Sequence, residues 1–178
     1  EFLDEPYSWV EHPVLRENRS GFSPEEGSLH GTGIIDGLSA YEWLEAFADP
    51  DSGYNERWGP FTLNDPTYMR AVEYMQGYLQ GIGFDAQVHR YWISDFSYAV
   101  NVCGYKTGTL YPDEWLVLGA HLDIAEPGSP PGGGSHIGAH DNGAGVALVL
   151  EASRGLVEFD HRRTIAVCFW SNEENGYD

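Results

Sequence analysis

Two strongly apolar runs joined by a helical pattern constrain the fold of this chain most. Residues 115–120 contain no polar side chain, and residues 164–170 are nearly as apolar. Such runs are typical of strands that are covered on both faces in a parallel sheet. Between them, apolar residues recur at helical spacing from about residue 146 to residue 157. A strand, a helix and a second strand in this order predict a βαβ unit with parallel neighbouring strands, and therefore the α/β class.

Two amphipathic helices are predicted ahead of this unit. Ser39 and Glu42 have capping-box spacing, so we expect a short helix from there to the stop at Asp49-Pro50. A second helix is expected to begin at a cap on Asp65 and to end near residues 81–83. The apolar positions expected to share a face are Tyr41, Leu44 and Phe47 in the first helix, and Tyr68, Val72, Met75 and Leu79 in the second.

Weaker patterns complete the predicted organisation. Alternating polar and apolar residues at 84–88 and 98–102 predict a two-stranded ribbon of half-buried or edge strands. Residues 1–34 lack periodicity and are expected to form an irregular arm, which leaves residues 35–178 as the body. Cys103 and Cys168 are too few for a disulfide framework and lack the spacing of a zinc-binding pair, so we expect them to act as small core residues.

The charge of the chain excludes several classes of partner. Nine basic residues stand against 28 acidic ones, which gives a net charge of −19. Such a surface repels nucleic acid and anionic membranes, and the longest apolar stretches are shorter than the roughly 18 residues that suggest a membrane span. The acidic composition suits either a high-salt habitat or an ordinary secreted protein. An extracellular or periplasmic location is therefore favoured although no signal peptide is present, and the oligomeric state stays open.

Polar clusters follow the predicted strands where ligands bind in parallel sheets. His121 and Asp123 come directly after the first apolar strand, Asp141 lies at the start of the helix, and Glu173 and Glu174 follow the second strand. In an extended H-x-D triplet both side chains point the same way, so the carboxylate can orient the imidazole. We expect the three clusters to meet at one edge of the sheet.

These residue types favour a metal site over their separate structural interpretations. Alone, His121 would be a structural histidine, Asp141 a helix cap, and the Glu173-Glu174 pair a solvated turn. Together they form the mixed nitrogen and oxygen set that zinc accepts, whereas magnesium suits it less well. Two adjacent glutamates also repel each other unless a cation is near. One of them can bind the metal while the other takes the proton of an activated water, which indicates hydrolysis.

Three motifs in this order resemble the co-catalytic di-zinc aminopeptidases related to bacterial leucyl aminopeptidase. The motifs read WLVLGAHLDI, GAHDNGAGVALVLEASRGL and RRTIAVCFWSNEENGYD, and a weaker likeness extends upstream to about residue 35. The resemblance implies a three-layer α/β/α fold with a mixed, centrally parallel β-sheet. The chain would hold the amino-terminal portion of such a domain.

The resemblance also implies a role for each residue of the site. Asp141 would bridge two zinc ions, His121 and Glu174 would each bind one of them, Glu173 would be the general base on a metal-bridging water, and Asp123 would orient His121. The family has two further ligands, an Asp and a His, that come later in its sequence. We therefore expect these 178 residues alone to bind zinc poorly and to be inactive.

The function indicated in this way is a zinc-dependent exopeptidase acting on a peptide, with an aminopeptidase as the leading interpretation. A carboxypeptidase and a glutaminyl-cyclase-like acyl transferase on the same scaffold remain alternatives, as does a non-catalytic receptor-type homologue. The segment at residues 141–145 resembles the peptidase form more closely than the cyclase form. The presence of all the predicted metal-binding residues argues against a non-catalytic protein.

Overall fold

The computed structural model describes residues 35–52, 54, 57–58, 61–62, 67–125 and 137–175. The predicted arm at residues 1–34 and the predicted cap at Asp65 lie outside these ranges. Among the helices that the structure describes, none is both long and apolar enough to cross a membrane.

Three α-helices and five strands occur in the described ranges. The helices are α1 (Gly37–Ala48), α2 (Thr67–Ile82) and α3 (Ala144–Val157), and a short 3-10 turn at Pro50–Ser52 follows α1. The strands are β1 (Phe61–Thr62), β2 (Asp85–Ser94), β3 (Ser97–Lys106), β4 (Tyr111–His121) and β5 (Arg163–Trp170). Helix α2 packs against β2 and β3, α3 packs against β4 and β5, and α1 packs against α3.

All five strands belong to one mixed sheet. Strand β2 pairs along one edge of β3, while β5 and β1 pair with different parts of its other edge, and β4 lies beyond β5. The β4–β5 pair is parallel and the other pairs are antiparallel. The α/β class, the mixed sheet and the βαβ unit of β4, α3 and β5 are therefore confirmed.

Helix α1 forms where it was predicted but begins at a different cap. The side chain of Asp36 accepts hydrogen bonds from the backbone N–H groups of Leu38 and Ser39, at 3.0 and 3.4 Å, so the predicted Ser39 cap is wrong. Asp36 is the cap because its own backbone N–H donates to Glu151 Oε1 at 2.9 Å, and this hydrogen bond fixes where the helix begins. The predicted apolar face is also partly wrong, because Tyr41 is 60% exposed.

Helix α2 supplies the centre of the core, as its periodicity predicted. Its four predicted face residues are completely buried against the sheet and the other helices. Burial of a large apolar side chain contributes roughly 1.5–3 kcal/mol, so this face is a main source of stability. The face consists of Tyr68, Val72, Met75 and Leu79.

The predicted ribbon forms from β2 and β3, but only β2 lies at an edge. Strand β3 is paired along both of its edges. It is also buried on both faces of the sheet, because the neighbouring residues Ala99 and Val100, which point to opposite faces, are both 0% exposed. The alternation in the sequence did not predict burial of the second face, because Ala99 and Cys103 on that face are small and only weakly indicate a buried position.

Strand β4 differs from its prediction as a strand covered on both faces. Trp115, Leu116 and Val117 are 58, 54 and 52% exposed, and β5 is the one named strand that pairs with β4 in the described ranges. No described element lies along its other edge, so its apolar middle remains in contact with solvent. Only the end of the strand that leads into His121 is enclosed, where Ala120 is 6% exposed.

Both cysteines are buried, which confirms them as small core residues, but they also form a disulfide that the sequence analysis did not predict. Cys103 and Cys168 lie directly opposite each other in the antiparallel β3–β5 pair. Their separation of 65 positions in sequence hides this contact, which depends on the register of two strands. The disulfide connects β3 to the strand that leads into Glu173 and Glu174.

Candidate metal centre

Parallel pairing brings the two site-bearing strands to one edge of the sheet. His121, the last residue of β4, pairs with Trp170, the last residue of β5. The connection continues beyond the strands, because the N–H of Leu122 donates to the Trp170 carbonyl at 2.7 Å. The segments that follow are joined as well, since the N–H of Glu174 donates to Asp123 Oδ2 at 3.1 Å.

The structure brings all the predicted ligand residues together at this edge. His121 Nε2 lies 3.0 Å from Asp141 Oδ1 and 3.7 Å from Glu173 Oε2. One ligand atom from each of His121, Glu173 and Glu174 lies within 4.8 Å of the others. Residues that are 53 positions apart at the extremes of this set, 174 − 121, therefore share one small volume.

Asp123 lies behind the histidine and is completely buried. Its Oδ1 is 3.5 Å from His121 Nδ1, and its backbone carbonyl is 3.1 Å from the same nitrogen. Oδ1 forms no other hydrogen bond among the described residues, and the His121 imidazole lies 3.5 Å from it. With Nδ1 directed at Asp123, the Nε2 atom faces the other carboxylates, which is the orientation that a metal-binding histidine requires.

Asp141 lies in a turn at Ala139–Gly143 that precedes α3. The structural interpretation of Asp141 as a helix cap does not hold, because Asn142 Oδ1 instead accepts the hydrogen bond from Gly145 N at 3.0 Å. Gly145 is required here, since an added Cβ would lie 2.2 Å from that Asn142 oxygen. The carboxylate of Asp141 is thus released from capping and contacts His121, with 69% of its side chain exposed.

The charges at the site influence one another strongly. Burial lowers the pKa of His121, but its hydrogen bond with Asp123 and the charges of Asp123 and Glu173 outweigh burial and raise the pKa to about 9. Burial raises the pKa of Glu174, and the neighbouring charge of Asp141 raises it further. Within the described residues, no lysine or arginine forms an ion pair with Asp141, Glu173 or Glu174.

These observations fit a zinc ion. An imidazole nitrogen and carboxylate oxygens converge, the histidine is oriented by a buried carboxylate, and no lysine or arginine in the described part of the chain pairs with Asp141, Glu173 or Glu174. Zinc accepts such a nitrogen and oxygen set. The residues that could hold it are His121, Asp141, Glu173 and Glu174.

Ser171 was missed by the sequence analysis, although it fixes the segment that carries both glutamates. Val100 N donates to Ser171 Oγ at 2.8 Å, Ser171 N donates to Asn101 Oδ1 at 2.9 Å, and Tyr91 Oη donates to the Ser171 carbonyl at 3.0 Å. All three partners come from β2 and β3. The only signal in the sequence was a small polar residue directly after an apolar strand.

Comparison with known proteins places this geometry in a family. Residues 101–178 match the model of peptidase family M28. A Porphyromonas gingivalis glutaminyl cyclase is similar over 79% of this chain and 49% of its own, with a TM-score of 0.64 and 19% identity. A leucine aminopeptidase precursor from Bacteroides thetaiotaomicron is similar over 76% of this chain and 46% of its own, with a TM-score of 0.60 and 21% identity.

A third structure, a Zn-dependent exopeptidase from Parabacteroides distasonis, is similar over 76% of this chain and 46% of its own, with a TM-score of 0.59 and 19% identity. The chain thus spans about half the length of these structures, and the likeness establishes a shared fold. The family model covers all five predicted site residues, from His121 to Glu174. Residues 101–178 are similar to peptidase family M28, and this match confirms the resemblance to the zinc aminopeptidase family that the motifs indicate.

Proposed function

We propose that this chain contributes the site of a zinc-dependent exopeptidase that acts as an aminopeptidase. The observation that carries the proposal is the convergence of His121, Asp141, Glu173 and Glu174 at the edge of the β4–β5 pair. His121, Asp141 and Glu174 would hold the metal, with Asp141 shared between two ions. When bound, zinc would acidify a water molecule and polarise the scissile carbonyl.

Glu173 is the residue of the four that we assign to proton transfer. Its side chain is 42% exposed, so it can reach both a water molecule and a substrate. It would accept a proton from the attacking water as the carbon–oxygen bond forms. It would then give that proton to the departing nitrogen as the carbon–nitrogen bond breaks, so that an amino acid and a shortened peptide are released.

The charge around the site favours a substrate amino group over a substrate carboxylate. The chain carries a net charge of −19, and no described lysine or arginine pairs with the site carboxylates. A free N-terminal amine is attracted to such a surface, whereas a C-terminal carboxylate is repelled. This difference supports an aminopeptidase rather than a carboxypeptidase.

The experiment follows the release of nitroaniline from aminoacyl-nitroanilides by the full-length protein, because these 178 residues alone are expected to be inactive. We expect the activity to be lost with a chelator and restored by zinc. Glu173→Gln should lower kcat by about 10²–10⁴-fold while zinc binding is retained, because the proton acceptor is lost. Glu158→Gln, at the exposed end of α3, is the matched control and should leave kcat unchanged. Full activity of the Glu173→Gln protein would refute the assigned base.

Glutaminyl cyclization is the second candidate, because proteins described as glutaminyl cyclases are among the similar structures. On the same site, the substrate's own amine would attack its glutamine side chain and release ammonia, and no water would be added. A peptide with an N-terminal glutamine separates the two functions. Mass spectrometry would show a peptide that has lost its first residue if the protein is a peptidase. It would show a peptide of full length that has lost only the mass of one ammonia if the protein is a cyclase.

A further inference from the structure

Arg57 is a buried cation in a stretch that its composition predicts to be an ordinary loop. It is 1% exposed, and it is among the largest fully buried side chains in the described ranges. Arginine is rarely buried without partners, because removing its charge from water is unfavourable unless its N–H groups are satisfied. The partners of Arg57 therefore indicate why the fold retains it.

The guanidinium donates to four backbone carbonyls. Nη1 donates to the carbonyls of Phe47 and Tyr54, both at 2.7 Å, which anchors the arginine to the end of α1 and the turn after it. Nε donates to the Leu122 carbonyl at 2.9 Å. Nη2 donates to the Gly138 carbonyl at 3.5 Å.

Two of these carbonyls lie next to the metal centre. Leu122 stands between His121 and Asp123, and the Arg57 carbonyl also accepts from the N–H of Ile124 at 2.8 Å. Gly138 precedes the turn that carries Asp141, and its carbonyl also accepts from Gly143 N at 2.7 Å, across that turn. One planar side chain therefore connects the segment that holds His121 to the segment that holds Asp141.

The charge of Arg57 also matters to the site. Burial lowers the pKa of Arg57 to about 10, while the charges of Tyr68 and Asp123 oppose that change. Asp123 is itself completely buried, so its carboxylate needs a nearby positive charge in the absence of water. The guanidinium reaches the carbonyl of Leu122, the residue directly before Asp123, at 2.9 Å.

We propose that Arg57 is a positioning residue of the metal centre. It fixes the spacing between the end of β4 and the turn at Ala139–Gly143, and thereby the contact between His121 and Asp141. Only the zinc-binding test of this inference rests on the proposed function. The test on His121 does not, because the orientation of His121 is a property of the metal-free protein.

Lysine cannot replace this arrangement, because its single ammonium group lacks the planar fork that reaches carbonyls in several directions. Arg57→Lys keeps the charge and should disturb the spacing. Gly138→Ala disturbs the same contact from the other side, since its Cβ would lie 2.1 Å from Ile124 Cγ2 and 3.0 Å from Arg57 Nη2. Arg90→Lys is the matched control, because Arg90 is exposed and lies 4.5 Å over the Tyr98 ring, away from the site.

The experiment has two readouts on the folded protein, which is verified by circular dichroism. In the metal-free protein, the ring resonances of His121 in nitrogen-15 NMR spectra should move in Arg57→Lys and Gly138→Ala and stay in place in Arg90→Lys. In zinc titrations by calorimetry, the first two variants should bind about 10- to 100-fold more weakly than the unmodified protein, as is typical when a residue supporting a metal ligand is lost.

The result that overturns the proposal is a folded Arg57→Lys protein with unchanged His121 resonances and unchanged zinc affinity. If Arg57→Lys does not fold, Gly138→Ala is judged by the same two criteria. If the full-length protein, with the two further ligands that the family resemblance implies, binds no zinc, the proposed function fails, and the NMR comparison still decides whether Arg57 positions the histidine.

Discussion

Removing the disulfide should lower the stability of this fold strongly. Cys103 and Cys168 are separated by 65 positions, and the loss of chain entropy for a loop of that size corresponds to about 4 kcal/mol at 25 °C. Both side chains are at most 4% exposed, so changing them to alanine alters the solvent-exposed surface of the folded protein very little. We therefore expect the Cys103→Ala/Cys168→Ala protein to unfold with a free energy about 4 kcal/mol lower, and a Tm roughly 8–16 °C lower, than the oxidised protein.

The measurement is urea unfolding, followed by circular dichroism with and without a reductant. The reductant should bring the unmodified protein to the stability of the alanine variant, and it should not affect the variant. Equal stability of the oxidised protein and the variant would refute the reasoning, because it would mean that the crosslink does not restrict the unfolded chain. A reductant effect on the variant would show that the loss has another cause.

Two further predictions concern the helices. Leu79→Ala should lower the free energy of unfolding by about 2–5 kcal/mol, because Leu79 is completely buried, whereas Leu148→Ala should change it little because Leu148 is 54% exposed; equal losses in urea unfolding would contradict the assigned core. Burial, followed by the charge of Glu151, raises the pKa of Tyr78 to about 12, whereas the phenol of an unfolded chain titrates near 10. The stabilisation from the neutral phenol should thus be fully present below pH 10 and be lost as the pH rises through 12. Tm measurements against pH would detect this loss as a slope that Tyr78→Phe reduces, while other tyrosines whose pKa burial raises, such as Tyr74, keep part of it.

The elements that depend on local spacing could be predicted from the sequence. The buried face of α2 follows from helical periodicity, as its completely buried Val72 and Met75 illustrate. The site could be predicted because parallel strands end at the same edge of a sheet, so residues such as His121 and Glu174 meet without any knowledge of the loops between them. The cap of α1 was misplaced because Asp36 and Ser39 are both good capping residues, and a tertiary hydrogen bond to Asp36 decides between them.

What could not be predicted depends on contacts between distant segments. The disulfide requires the register of β3 against β5, which the spacing of two cysteines does not contain. The exposed middle of β4 shows a related limit, because an apolar run reveals a preference for burial but not the element that covers it. Arg57 is a third case, since a charged residue in a polar loop normally predicts a solvated side chain.

The site is held by contacts that do not involve its ligand atoms. Ser171 is fixed by hydrogen bonds from β2 and β3, Asp123 accepts from the backbone of Glu174, and four carbonyls surround the guanidinium of Arg57. Because these contacts come from the protein itself, they place the ligands before any ion binds, and an ion that arrives has less side-chain motion to restrict. The exposed fractions of the site residues show from which side the site is accessible. The imidazole of His121 and the carboxylate of Asp123 are 10 and 0% exposed, whereas the carboxylate of Asp141 is 69% exposed. A cation and a substrate therefore both approach from the side of Asp141, while the buried pair on the opposite side keeps the histidine in place.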